Sequence, residues 1–251
     1  MKNNVGATRA GLRGRIPLAP QKEEGFRWRG EHVTRVEGFT DAVFAFAVTL
    51  LVVALEVPHD IPGLMNVVRG FPGFVISFTI LMTFWNSHYR FHRRYGLEDI
   101  GTRVYTMAVL VLTLFYVYPL KFLFTWLTVI MFGLEMTDPP HIRTFAELQS
   151  LYLIYGLGFA GVWGIYLLMY VNALRRREEL ALTPVEVLYT RGSIVDHAIF
   201  VGVCMLSILA AYTTRIGSLP GYTYMLLAPL MTLNGYLWGR QIRKQLAREA
   251  A

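Results

Sequence analysis

Charge is scarce in this chain. Only 16% of its 251 residues are Asp, Glu, Lys or Arg, against about 25% in ordinary soluble domains, while 54% are hydrophobic. That balance argues against a soluble globular domain and for a membrane protein. Cysteine is nearly absent. Cys204 alone rules out an intramolecular disulfide and a Cys-rich metal site, and its apolar neighbours read it as a small buried hydrophobe. Residues 1–30 lack the apolar centre of a cleavable signal peptide. Catalytic patterns are missing as well: neither His-Glu-x-x-His nor Gly-x-Ser-x-Gly occurs. The six histidines are scattered, and Asp196-His197 is a lone acid–base pair with no third partner. No enzyme, cofactor or metal site is expected.

Apolar runs are what the chain has in abundance. A membrane-spanning helix needs about 20 residues, and six runs approach that length: Phe39–Val57, Phe71–Tyr89, Arg103 to about Phe124, Leu148–Leu174, Gly192–Tyr212 and Tyr222–Trp238. Residues Thr125–Leu134 either prolong the third or lie at the interface. Six spans put both termini on one side. Of the Lys and Arg residues, 20 then fall on that side and 4 (Arg69, Lys121, Arg143 and Arg215) on the other. The positive-inside rule makes the terminal side cytoplasmic. It also accounts for the net charge of +7 without nucleic acid. Residues 1–30 form a basic arm expected to be disordered and cytoplasmic, 31–245 one six-helix membrane domain, and 246–251 a short tail. Gly156, Ala160 and Gly164 make a small-xxx-small face for close helix packing.

The first span carries the most informative pattern. With Asp41 at zero on a helical wheel, Ala42, Ala45, Phe46, Thr49, Val53 and Glu56 share an arc of about 100°. Val43, Phe44, Ala47, Leu50, Leu51, Ala54 and Leu55 form the opposite, wholly apolar face. Carboxylates at both ends and an apolar middle suit a cation path with a dry waist. The alternative is a stripe packed against helices of its own subunit. One such stripe per six helices cannot enclose a pore, so a path needs several copies of the chain. The second span ends in Trp85-Asn86-Ser87-His88, at the depth of Arg35 and Asp41. Polar groups there need partners, and a knot of Arg35, Thr40, Asp41 and His88 is expected. Its role is either to pin the two helices or also to sense protons. A proton-coupled transporter is the main rival to a channel, since Asp41, Glu56, His88 and Asp196 could relay protons. No inverted repeat supports it.

Arg35-x-x-x-Phe39-Thr40-Asp41 before the apolar run, with Trp85-x-x-His88 at the end of the second span, resembles the prokaryotic relatives of the lysosomal potassium channel called transmembrane protein 175. The resemblance implies an all-α homotetramer of six-helix subunits in a prokaryotic cell membrane, with the first helices lining a central path for potassium and other monovalent cations. It gives Arg35, Phe39, Thr40, Asp41, Trp85 and His88 a helix-tethering role. It puts the constriction at Phe46 and further layers at Thr49 and Val53, and the wheel adds Ala45 and Glu56 to the lining of that path. Thr40 stands for the usual serine, Phe46 for isoleucine or leucine, and Tyr118-Pro119-Leu-Lys121 departs from the family's Pro-Phe-Pro-Thr run. No Thr-Val-Gly-Tyr-Gly filter is present, so selectivity is expected to be modest.

Overall fold

The computed structural model describes residues 25–30, 32–54, 57–136 and 140–249. They are helical nearly throughout: α1 Arg35–Val53, α2 Ile61–Tyr95, α3 Ile100–Phe132, α4 Phe145–Arg175, α5 Pro184–Thr213, a short α6 Leu219–Tyr222, a 3-10 turn Thr223–Leu226, and α7 Leu227–Glu249. Local sequence sets these boundaries. Thr34, Thr144 and Thr183 each form a capping box with the glutamate three residues on, satisfying donors that the first helical turn leaves open. Asp60 and Asp99 cap α2 and α3. Gly96 and Gly133 end those two helices in the left-handed conformation.

Five helices, α1 to α5, are long and apolar enough to cross a membrane. The expected sixth span, Tyr222–Trp238, is not one uniform apolar helix. The chain passes through α6 and the 3-10 turn before α7 begins. Asn234, Gly235, Tyr236, Trp238 and Gly239 then dilute the hydropathy of α7. The open question at the third span is decided in favour of length, since α3 runs unbroken past Pro119 to Phe132. At 35 residues, α2 rises about 52 Å and so outreaches a ~30 Å hydrocarbon layer.

α4 packs most closely on α5, α2 on α3, and α7 on α5, while α1 lies against α2 and α3. The small-residue face of α4 seats α5. A Cβ on Gly156 would come within 2.6 Å of Ile208, and Gly164 faces Val201. Phe44, Ala47, Leu51, Leu81, Phe84, Val109, Val117 and Tyr166 belong to one continuous apolar core, and Cys204 is buried and free. Residues 25–30, which composition assigns to a disordered arm, are docked on the bundle. Phe26 is buried edge-on against Tyr95 and Tyr189. An aromatic anchor outweighs the polar composition around it. Residues 1–24 lie outside the described residues.

Candidate functional site

α1 shows two unlike faces. Glu37, Thr40, Phe44, Ala47 and Leu51 are buried in the protomer. Ala42, Ala45, Phe46, Thr49, Val52 and Val53 are exposed, with Phe46 at 55% and Val53 at 67%. The exposed set is the stripe read from the wheel, so that face is not packed inside its own protomer. Val52 joins it. Glu56 lies outside the described residues. Thr49 Oγ1 donates to the Ala45 carbonyl at 3.0 Å, which ties its one proton to the helix and leaves the oxygen's lone pairs free.

At the N-terminal end of α1 the expected knot is only partly formed. Trp85 Nε1 donates to Asp41 Oδ1 at 2.7 Å, joining α2 to α1. Trp85 in turn stacks on Tyr89, with ring centroids 5.7 Å apart. His88 does not join that knot. It is buried, lies 3.3 Å from Thr106 Oγ1 of α3, and packs its ring at a tilt against His92. The reason is angular: His88 sits three residues beyond Trp85, on the side of α2 that faces α3 rather than α1. Thr40 is fully buried, but its hydroxyl turns back to the Val36 carbonyl at 2.8 Å. Arg35 and Phe39 are exposed, on the side of the stripe.

Further side chains tie α1 to the rest of the protomer. Glu37, third residue of α1, closes the capping box with Thr34 and also meets Arg93 Nη2 at 3.5 Å. Arg93, near the end of α2, donates to the Gly30 carbonyl at 2.7 Å. At the C-terminal end of α1, the Lys121 ammonium donates to the Ala54 carbonyl, where the helix stops. A cation at a helix C-terminus complements the carbonyls exposed there. The Thr34-x-x-Glu37 spacing was legible in the sequence as a cap. The arginine that shares its glutamate was not.

Comparison with known proteins settles the family. A curated potassium channel of Marivirga tractuosa is 33% identical over 231 residues, covering 88% of this chain and 94% of that protein. The chain belongs to the TMEM175 family. The family model described as endosomal/lysosomal potassium channel TMEM175 matches residues 35–119, which hold α1, α2 and more than half of α3. A potassium channel of Chamaesiphon minutus is 28% identical over 101 residues, 37% of this chain and 50% of that one. Among solved structures, the potassium channel MtTMEM175, crystallised with a nanobody–MBP fusion, superposes with a TM-score of 0.78. It is 31% identical, with 87% of this chain and 99% of that chain covered. A lysosomal potassium-selective channel TMEM175 homolog from Chamaesiphon minutus shares the fold at a TM-score of 0.53 and 20% identity, over 80% and 96% of the two chains. TMEM175 proteins are ion channels rather than enzymes, in keeping with the missing catalytic motifs. With α1 to α5 apolar enough to span, the chain is an integral membrane protein.

Proposed function

We propose that the chain forms a homotetrameric, potassium-preferring cation channel in a prokaryotic plasma membrane, with α1 of each copy lining the central path. The observation that carries this reading is the exposed row Ala45, Phe46, Thr49 and Val53 on a helix whose other face buries Phe44, Ala47 and Leu51 in the protomer. Close relatives being potassium channels gives that row its purpose. A cyclic arrangement turns the same face of every copy toward one axis. Phe46 is the constriction, where an apolar ring excludes water, and the Thr49 hydroxyls form the layer beyond it. Phenyl faces also attract a partly dehydrated cation. Selectivity from these groups is modest, and protons share the path. α6, the 3-10 turn and the first half of α7 together supply the sixth crossing, which returns the basic C-terminal end to the cytoplasmic side with the N-terminus.

The purified chain tests this in two steps. Its particle mass in detergent should equal four copies, and liposomes holding it should pass K⁺ down the gradient without stoichiometric proton coupling. Phe46→Ala should widen the waist and raise that flux. A monomer, or liposomes that stay tight, would end the channel reading. Flux that is unchanged or lower in the variant would remove Phe46 as the constriction.

A further inference from the structure

Two capping-box glutamates stand at the N-terminal ends of two helices, and each is shared with an arginine. Glu186 caps α5 and is fully buried. It accepts Arg29 Nη2 at 2.7 Å, Arg29 Nη1 at 3.0 Å, the Arg27 amide at 2.8 Å and the Thr183 amide at 2.9 Å. Arg29 uses every donor it has. Its remaining N–H groups go to the carbonyls of Leu180 at 2.9 Å, Ala181 at 3.2 Å and Arg27 at 3.0 Å. Such a fork, with all donors aimed and the carboxylate out of water, has one geometry.

The second pair is Arg93 and Glu37, and a short backbone strap joins it to the first. The amides of Arg29 and Gly30 both donate to the Arg93 carbonyl, at 3.1 and 3.2 Å, while Arg93 Nη1 returns a bond to the Gly30 carbonyl. Gly30 passes so close to α2 that a Cβ there would come within 2.5 Å of the His92 carbonyl. Only glycine fits that approach. Four residues later Thr34 starts α1, and Glu37 holds Arg93. The connection therefore runs from α5 through Glu186, Arg29, the strap and Arg93 to Glu37 and α1. Neither Arg29 nor Glu186 falls within the matched residues 35–119.

We propose that Arg29 and Glu186 are positioning residues for the ion path: they fix the height and rotation of the N-terminal end of α1 from the start of α5. Among the described residues, neither makes a hydrogen bond or ion pair with a residue of the stripe. The effect of the pair is transmitted by the strap alone. Loosening the fork leaves the packed face of α1 in place but lets its first turns move, and with them the Phe46 ring four residues past Ala42. This rests on the reading of α1 as the pore-lining helix.

The test measures K⁺ flux per assembled particle in liposomes for the full chain and for Arg29→Ala, Glu186→Gln, the double variant and Phe46→Ala. Particle mass and melting are followed alongside. Arg29→Ala and Glu186→Gln should each change flux by about threefold or more with particle mass kept, and the double variant should add little to either. Melting alone would move for a merely structural pair; flux per particle would not. Where Arg29→Ala does not assemble, Arg29→Lys takes its place, keeping the charge but losing the fork. Wild-type flux in the assembled Arg29 variant overturns the proposal, as does full additivity in the double variant. If Phe46→Ala still alters flux in that case, the pore reading stands and only the positioning role falls. If it does not, both fall.

Discussion

The indole of Trp85 donates to the carboxylate of Asp41 across 2.7 Å, and this bond joins the second turn of α1 to the C-terminal part of α2. It connects a residue on the exposed side of α1 to the protomer, so the stripe is tied down at its N-terminal edge while its middle stays uncovered. Lys121 holds the C-terminal end of the same helix through the Ala54 carbonyl. Between the two ties, Phe46 and Thr49 make no ring contact or side-chain hydrogen bond to another helix among the described residues.

Removing the indole donor tests that tie. Trp85→Phe keeps the ring that stacks on Tyr89 but leaves Asp41 without its neutral donor. A hydrogen bond to a charged group contributes about 1.5–3 kcal/mol when sheltered and less near solvent. The variant should therefore melt at a lower temperature in detergent with its helix content intact. An unchanged melting curve would show that the bond is not needed to hold the two helices.

Thr49→Val replaces the hydroxyl by a methyl of similar size on the exposed stripe. The helix is not disturbed, because Thr49 bonds only to Ala45 within α1. If the hydroxyl ring is the polar layer of the path, the ratio of K⁺ to Na⁺ flux in liposomes should move toward unity. A ratio identical to wild type would take the selectivity role away from Thr49.

Acid stability should depend on Asp99, which caps α3 at the membrane surface. Burial pushes its carboxyl up, but the Thr102 hydroxyl and amide and the Arg176 guanidinium outweigh this and hold it below its usual value. Thr102 Oγ1 lies at 2.6 Å and Arg176 Nη2 at 3.2 Å. A carboxyl lowered on folding stabilises the fold fully above its unfolded value, about 3.9, and loses that contribution as pH falls through the folded one. Asp99→Asn still caps the helix but carries no such term. Its melting temperature should fall less than that of wild type between about pH 5 and about pH 3. Parallel acid limbs for the two proteins would contradict the assignment.

Much of the architecture was written in local pattern. Apolar runs placed α1 to α5 to within a few turns, because hydropathy is a property of residues adjacent in the chain. The stripe on α1 followed from the 3.6-residue period alone. Where local pattern failed, a longer-range contact had intervened. The run Tyr222–Trp238 reads as one span, whereas the chain breaks into a 3-10 turn and α7 there, and Asn234 donates to Asp196 at 2.7 Å and to the Gly192 carbonyl. Composition made residues 25–30 part of a loose arm, yet Phe26 and Arg29 are held by side chains more than a hundred positions away.

By itself, then, the sequence determined that this is a helical membrane chain with a polar-marked face on its leading helix, since hydropathy and helical period are properties of adjacent residues. Only the tertiary structure decided that this face is left uncovered by the protomer. It also decided that Asp41 is met by Trp85 and not His88, and that Arg29 reaches Glu186 across 157 positions. Such pairings depend on how whole helices rotate against one another, and no window along the chain contains that rotation.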